Sequence, residues 1–121
     1  MSGFKSKNCT VCSASFDPIT PRRKICFNCA PTKRAYMMWR RYGITYPQLL
    51  DLREKQEDRC AISVCRRPLP EHGDGTRGVA VDHCHETGRV RGLLCISCNS
   101  RLSGVEDEAW HQAALEYLKG R

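Results

Sequence analysis

Apolar positions in this chain are sparse, and they fall into short periodic runs separated by polar, proline-marked or glycine-marked breaks. Residues 31–42 open at Pro31 and place Tyr36, Trp39 and Tyr42 at i, i+3 and i+6, which predicts a helix stopped by Gly43. That spacing favours core packing over base stacking for Trp39. Thr45-Tyr46-Pro47-Gln48 then fits a capping box, and Leu49, Leu50 and Leu52 carry a second helix to about Asp58. Both helices are expected to lay their apolar stripes on neighbouring parts and turn basic residues outward. Beyond them the period changes. Val79-Ala80-Val81 and Arg89-Val90-Arg91 are short β-compatible runs joined through a turn at Glu86-Thr87-Gly88. A short helix should follow Cys95, passing Asn99 and Arg101 to about Leu102. Ser103-Gly104-Val105-Glu106 reads as another capping box, opening a last helix over about 105–119 that buries Trp110, Ala113, Ala114, Tyr117 and Leu118 on one face. Pro68 to Gly78, with three glycines and two prolines, is the flexible stretch.

These runs cannot amount to a large core. The chain has 121 residues, 40% of them apolar, and a mean hydropathy of −0.53. At that size burial leaves little margin over chain entropy, and metal or disulfide staples are commonly needed. Nine cysteines supply them. No apolar run approaches the roughly 18 residues of a membrane span, and the N-terminus lacks a signal-like apolar region, so no membrane partner and a cytoplasmic location are expected. In a reducing compartment, metal-bound thiolates are the better reading of the cysteines. Cys9-x2-Cys12 and Cys26-x2-Cys29, thirteen residues apart, form a ribbon-like set; Cys60-x4-Cys65 and Cys95-x2-Cys98, twenty-nine apart, form a second, less regular one. Two structural zinc ions per chain follow, and Cys84 is left over as a spectator. The fold class is a small α+β zinc-stapled protein. It divides into a four-cysteine zinc ribbon over 1–30, a helical linker over 31–58, and a region over 59–121 that ends in the last helix.

Net charge is +7 with a pI near 9.1, and its distribution is uneven. Residues 1–48 hold nine bases against Asp17 alone, in clusters such as Arg22-Arg23-Lys24, Lys33-Arg34 and Arg40-Arg41. Such asymmetry points to a polyanion, most often nucleic acid. Arg22, Arg23 and Lys24, between two cysteine knuckles, are the first candidates for backbone contact.

The segment from Val81 to Asn99 carries the most chemistry. Asp82 and Asn99 present oxygen, which hard cations such as Mg²⁺ prefer, and His83 can act as a base because an imidazole titrates near about 6.5. Asn99 follows Cys98, so a zinc cage would position the backbone that carries it. In a regular strand Asp82 and His83 point to opposite faces, so a shared site needs a bulge or a strand end. His83, Cys84 and His85 could instead make a third zinc site, or the segment could be merely polar surface. His72 and His111 read as inert.

The stretch from Cys60 to Asn99 resembles the phage recombination endonuclease VII family, a branch of the His-Me (HNH, ββα-metal) nucleases. The resemblance rests on the Cys60/Cys65 pair, Asp82-His83-Cys84-His85, the run Gly88 to Cys95, and Cys98-Asn99. It implies a ββα-metal core with flanking helices over 59–121, zinc on Cys60, Cys65, Cys95 and Cys98, and one catalytic Mg²⁺ or Mn²⁺ on Asp82 and Asn99. His83 would be the general base and His85 a supporting residue, while Arg89 and Arg91 would clamp phosphates. The activity implied is hydrolysis of DNA phosphodiester bonds, structure-selective for branched or Holliday-junction DNA, by a phage-encoded homodimer. A non-enzymatic zinc adaptor on DNA and an HNH nicking enzyme without junction preference are the competing readings. A thiol redox protein is disfavoured, since CxxC occurs here without a thioredoxin-like βαβ pattern.

Overall fold

The computed structural model describes residues 4–70 and 78–120. The sequence-predicted flexible stretch lies mostly in 71–77, with His72, outside the described residues. Four helices and two small antiparallel hairpins make up the regular structure of the described residues. β1 (Lys7–Asn8) pairs with β2 (Ser15–Phe16), and the turn between them carries Cys9 and Cys12. No helix among the described residues is long and apolar enough to cross a membrane.

Helices α1 (Lys33–Tyr42) and α2 (Tyr46–Lys55) sit where the periodicity places them, with trimmed ends. Thr32, rather than Pro31, caps α1 by accepting from the Ala35 amide, and Gly43 closes it in the left-handed region at φ 75°. The expected capping box of α2 is formed in both directions: Gln48 N–H donates to Thr45 Oγ1, and Thr45 N–H donates to Gln48 Oε1. α2 stops at Lys55, short of Asp58, because Glu57 and Asp58 adopt positive φ.

Two buried clusters form, and α1 joins them. Ala35 packs with Cys9, Phe16, Ile25, Cys26 and Cys29, while Met38 packs with Leu49, Cys60, Leu93 and Leu94. The aromatic stripe divides in the same way. Tyr36 and Trp39 cover the first cluster, and Tyr42 covers the second.

The second cluster rests on β3 (Val79–His83) and β4 (Val90–Cys95), an antiparallel hairpin that leads directly into α3 (Ile96–Glu106). The turn forms as the sequence predicts. Gly88 takes φ 76°, and the Gly88 amide donates to the Cys84 carbonyl at 2.7 Å. The free edge of β4 is sealed by one side chain from α2's C-terminus. Gln56 Oε1 accepts from Leu93 N–H at 3.0 Å, and its Nε2 donates to Leu93 O at 2.9 Å.

The C-terminal end differs from expectation in three ways. α3 runs a turn past Leu102, to Glu106; Ser103 lies inside it, its hydroxyl donating back to Ser100 O at 2.7 Å. The cap of α4 (Glu108–Lys119) is Asp107, whose carboxylate accepts from the Trp110 amide at 3.0 Å. Finally, α4 buries no residue: Trp110 is 59% exposed and Tyr117 83%. Trp110 leans on the corner with α3 at Gly104, where a Cβ would come within 2.9 Å of the indole.

Replacing Gln56 by Leu should remove the partner of the buried Leu93 amide and cost about 1–3 kcal/mol. Urea unfolding at unchanged m-value is the measurement, and an unaltered midpoint would show that the β4 edge does not depend on this side chain.

Candidate active site

The eight paired cysteines assemble as two tetrads. Cys9, Cys12, Cys26 and Cys29 bring their sulfurs within 4.8 Å of one another, and so do Cys60, Cys65, Cys95 and Cys98. Individual separations are 3.8 Å for Cys9–Cys29, 3.6 Å for Cys12–Cys26 and 3.9 Å for Cys65–Cys95. Zinc–sulfur bonds of about 2.3 Å in a tetrahedron give an edge of about 3.8 Å, whereas a disulfide needs about 2.05 Å. The spacing therefore fits zinc. Electrostatics agree. The Cys98 amide donates to Cys95 Sγ at 3.4 Å and, as the largest influence, draws that thiol down to about 7. At Cys9, burial opposes ionisation, but backbone amides bring the thiol down to about 6. Burial, then neighbouring sulfur, pushes Cys29 and Cys98 up. Four adjacent thiols cannot all ionise without a cation to offset them. Cys84 stands outside both tetrads, and no third group of three or more potential ligands occurs among the described residues.

A cleft of about 1400 Å³ lies between α1 and the β3–β4–α3 unit. Asp82, His83, His85 and Asn99 line it together. Sharing by Asp82 and His83 is made possible by a register irregularity between them: Asp82 faces Gly92, but His83 faces Val90. The His83 ring has two aromatic neighbours. It stacks on His85 with centroids 5.0 Å apart and planes 12° apart, and the Tyr42 ring approaches it at 5.1 Å. Asn99 stands in the first turn of α3, directly after Cys98.

Asp82 is already matched to a cation. Arg91 Nε and Nη2 donate to its two carboxylate oxygens, each at 2.8 Å, and Nη2 also reaches Glu106 at 3.1 Å. Asp82 first, then Glu106, raise the Arg91 pKa. A position that holds a guanidinium on both oxygens, beside a second carboxylate, suits positive charge. With the Asn99 amide in the same cleft, the donor set fits a hard divalent ion.

The basic candidates fall into different surroundings. Arg23 corrects the expectation of DNA contact: it is only 7% exposed, and its guanidinium donates to the carbonyls of Ile25, Cys26 and Ala30. It also lies over Phe27 at 4.0 Å and Tyr36 at 4.7 Å, so it ties the first tetrad to α1. Arg22 and Lys24 remain exposed, as does Arg89. Arg91 is held by Asp82 and Glu106.

A family model for recombination endonuclease VII matches residues 34–120. The chain belongs to this family. Similar proteins include the Gene 59 protein of Mycobacterium phage L5, 34% identical over 127 residues that cover 95% of this chain and 71% of that protein. The Gene 59 protein of Mycobacterium phage D29 is 40% identical over 80 residues, covering 64% of this chain and 45% of its own length. No solved structure matches the chain. Family membership supports a recombination-related nuclease acting on DNA, and every residue that lines the cleft, from Arg34 to Asp107, falls within the matched region.

Two cleft residues escape the sequence reading. Glu106 does so because the pattern ends α3 at Leu102; one more turn puts Asn99, Ser103 and Glu106 at i, i+4 and i+7 on one face. Tyr42 belongs by spacing to a uniform core stripe, and nothing in local spacing pairs it with His83.

Elemental analysis should find two zinc ions per folded chain. Chelation should collapse the fold, because structural zinc contributes roughly 10–16 kcal/mol in comparable small domains. Full far-UV and near-UV spectra retained after zinc removal would count against both cages.

Proposed function

We propose that this protein is a metal-dependent DNA endonuclease of the His-Me type, with the β3–β4–α3 unit as its ββα-metal core. One observation carries the reading: a single cleft lined on one side by Asp82, His83 and Asn99 and on the other by the arginines of α1. Asp82 and Asn99 are the residues that would hold Mg²⁺ or Mn²⁺. When bound, the ion would neutralise the scissile phosphate and stabilise the leaving 3′ oxygen. His83 takes the proton of the attacking water, and the stacked His85 ring and the tilted Tyr42 ring support its imidazole. With an ion held on Asp82, the Arg91 guanidinium would be available to a phosphate oxygen. Hydrolysis leaves a 5′-phosphate and a 3′-hydroxyl.

The two zinc cages are structural in this reading, and the segments 1–30, 31–58 and 59–121 act as ribbon, cleft wall and core. Arg22, Lys24 and Arg89 add outer phosphate contacts. Resolving a junction requires two opposed cuts, hence two sites, and the exposed side of α4 with Trp110, Tyr117 and Leu118 suits a second copy of the chain. The place of action is the cytoplasm of a phage-infected host.

The test is cleavage of a labelled four-way junction and a matched linear duplex, with Mg²⁺ and with wild type and His83→Ala. Loss of about 10²–10⁴-fold in the variant, with fold and DNA binding kept, is expected. Equal cutting of both substrates would retain the nuclease and remove junction preference. A folded, two-zinc wild type that cuts neither would leave a zinc-bound DNA adaptor.

A further inference from the structure

The two walls of the cleft carry opposite charge. Asp82, Glu86, Glu106 and Asp107 stand on the β3–α3 side, with Arg91 paired to Asp82 and Glu106 among them. The α1 side supplies Arg34, Arg40 and Arg41, and α1 contains no acidic residue in its ten positions. This outward arc borders the residues α1 buries, and Met38 and Tyr42 line the cleft as well. Arg34, Met37 and Arg41 recur at i, i+3 and i+7, with Arg40 at its margin, whereas Ala35 and Met38 face the two clusters. Met37 is the exposed apolar residue of the arc. It is 56% exposed, lines the cleft, and stands one turn from arginine on either side. What sets Met37 apart from other exposed apolar residues of the helices, such as Leu50 and Val105, is its place inside the cleft between arginines.

We propose that α1 is the DNA-docking helix: Arg34, Arg40 and Arg41 bind backbone phosphates, and Met37 between them enters the minor groove as an apolar wedge against a base step. The inference rests on the reading of the cleft as the place where DNA is cut. Its chemistry is complementary to that of the opposite wall, which holds carboxylates for a cation while α1 holds cations for the polyanion. Position adds a constraint. Tyr42, at the end of α1, meets the His83 ring at 5.1 Å, and Met37 lies five residues earlier. At about 1.5 Å per residue this is about 7.5 Å along the helix axis. Inserted side chains partly unstack the step they enter, and this is easiest where stacking is already weak. A methionine wedge therefore selects bent, bulged or branched DNA without reading its sequence.

The experiment uses the full zinc-loaded chain without added Mg²⁺, and measures binding to a regular duplex and to one with a single-nucleotide bulge. 2-Aminopurine is placed at successive steps. Changing Arg34, Arg40 and Arg41 together to Gln should lower the slope of log K against log salt by about 2 to 3. An equal loss of charge elsewhere, Lys55→Gln with Arg67→Gln and Lys119→Gln, should leave the slope near that of wild type. Met37→Ala should keep the slope, abolish the 2-aminopurine signal, and bind the bulged duplex about tenfold more weakly with regular duplex unchanged. Zinc content and far-UV spectra establish that each variant is folded. A triple variant with the wild-type slope would place DNA elsewhere, and a 2-aminopurine signal that survives Met37→Ala would remove the wedge. Cleavage by the wild type with Mg²⁺ is read separately. If it is absent while the salt slopes behave as expected, α1 still docks DNA and the nuclease reading is what fails.

Discussion

Cys95 is at once the last residue of β4, the N-cap of α3 and one corner of a sulfur tetrad. Its sulfur accepts the amide of Cys98 and shares a cage with Cys60, Cys65 and Cys98. One cation at that point would therefore join the hairpin, the following helix and the knuckle after α2. This explains how a chain with so few apolar residues holds a cleft open. Asn99 is one residue beyond the cage, and Asp82 is aligned with Gly92 on the paired strand, so the oxygen-bearing groups sit on backbone that the cage restrains.

The first tetrad has a different mechanical role. Arg23 threads from its loop into the space between Phe27 and Tyr36 and satisfies three carbonyls there, which couples the cage to α1. Tyr46 N–H donates to Cys29 O at 2.7 Å, which couples it to the start of α2. Thus the N-terminal unit braces the helix that forms one cleft wall, and the second tetrad braces the other. The cleft lies between two separately stapled parts, with their charges opposed.

Much of the local structure is legible in the sequence because its signals span only a few residues. The two cysteine sets, the Thr45–Gln48 box, the Gly43 stop and the Glu86–Gly88 turn each depend on neighbours in the chain. The end of α3 is not legible in this way, because Ser103–Glu106 satisfies a capping-box pattern, yet Asp107 is the residue whose carboxylate reaches a free helix amide. Trp110, Tyr117 and Leu118 make an amphipathic stripe, but periodicity states only that a face is apolar. Whether anything in the same chain covers it depends on packing, and among the described residues nothing does so fully.

The sequence by itself determined which residues could ligate metal, that four helices and the 79–95 hairpin lie in this order, and which motif family the segment from Cys60 to Asn99 resembles. All of these are encoded in spacing along the backbone. Tertiary structure alone decided that Arg23 is buried while Arg34, Arg40 and Arg41 line the cleft, although all four look alike as basic residues in the same charged half. It also decided that Arg91 closes on Asp82 and Glu106, and that Tyr42 meets His83 from a distant part of the chain. Such meetings are set by how packed elements lie against one another in space, and spacing along the chain does not encode that.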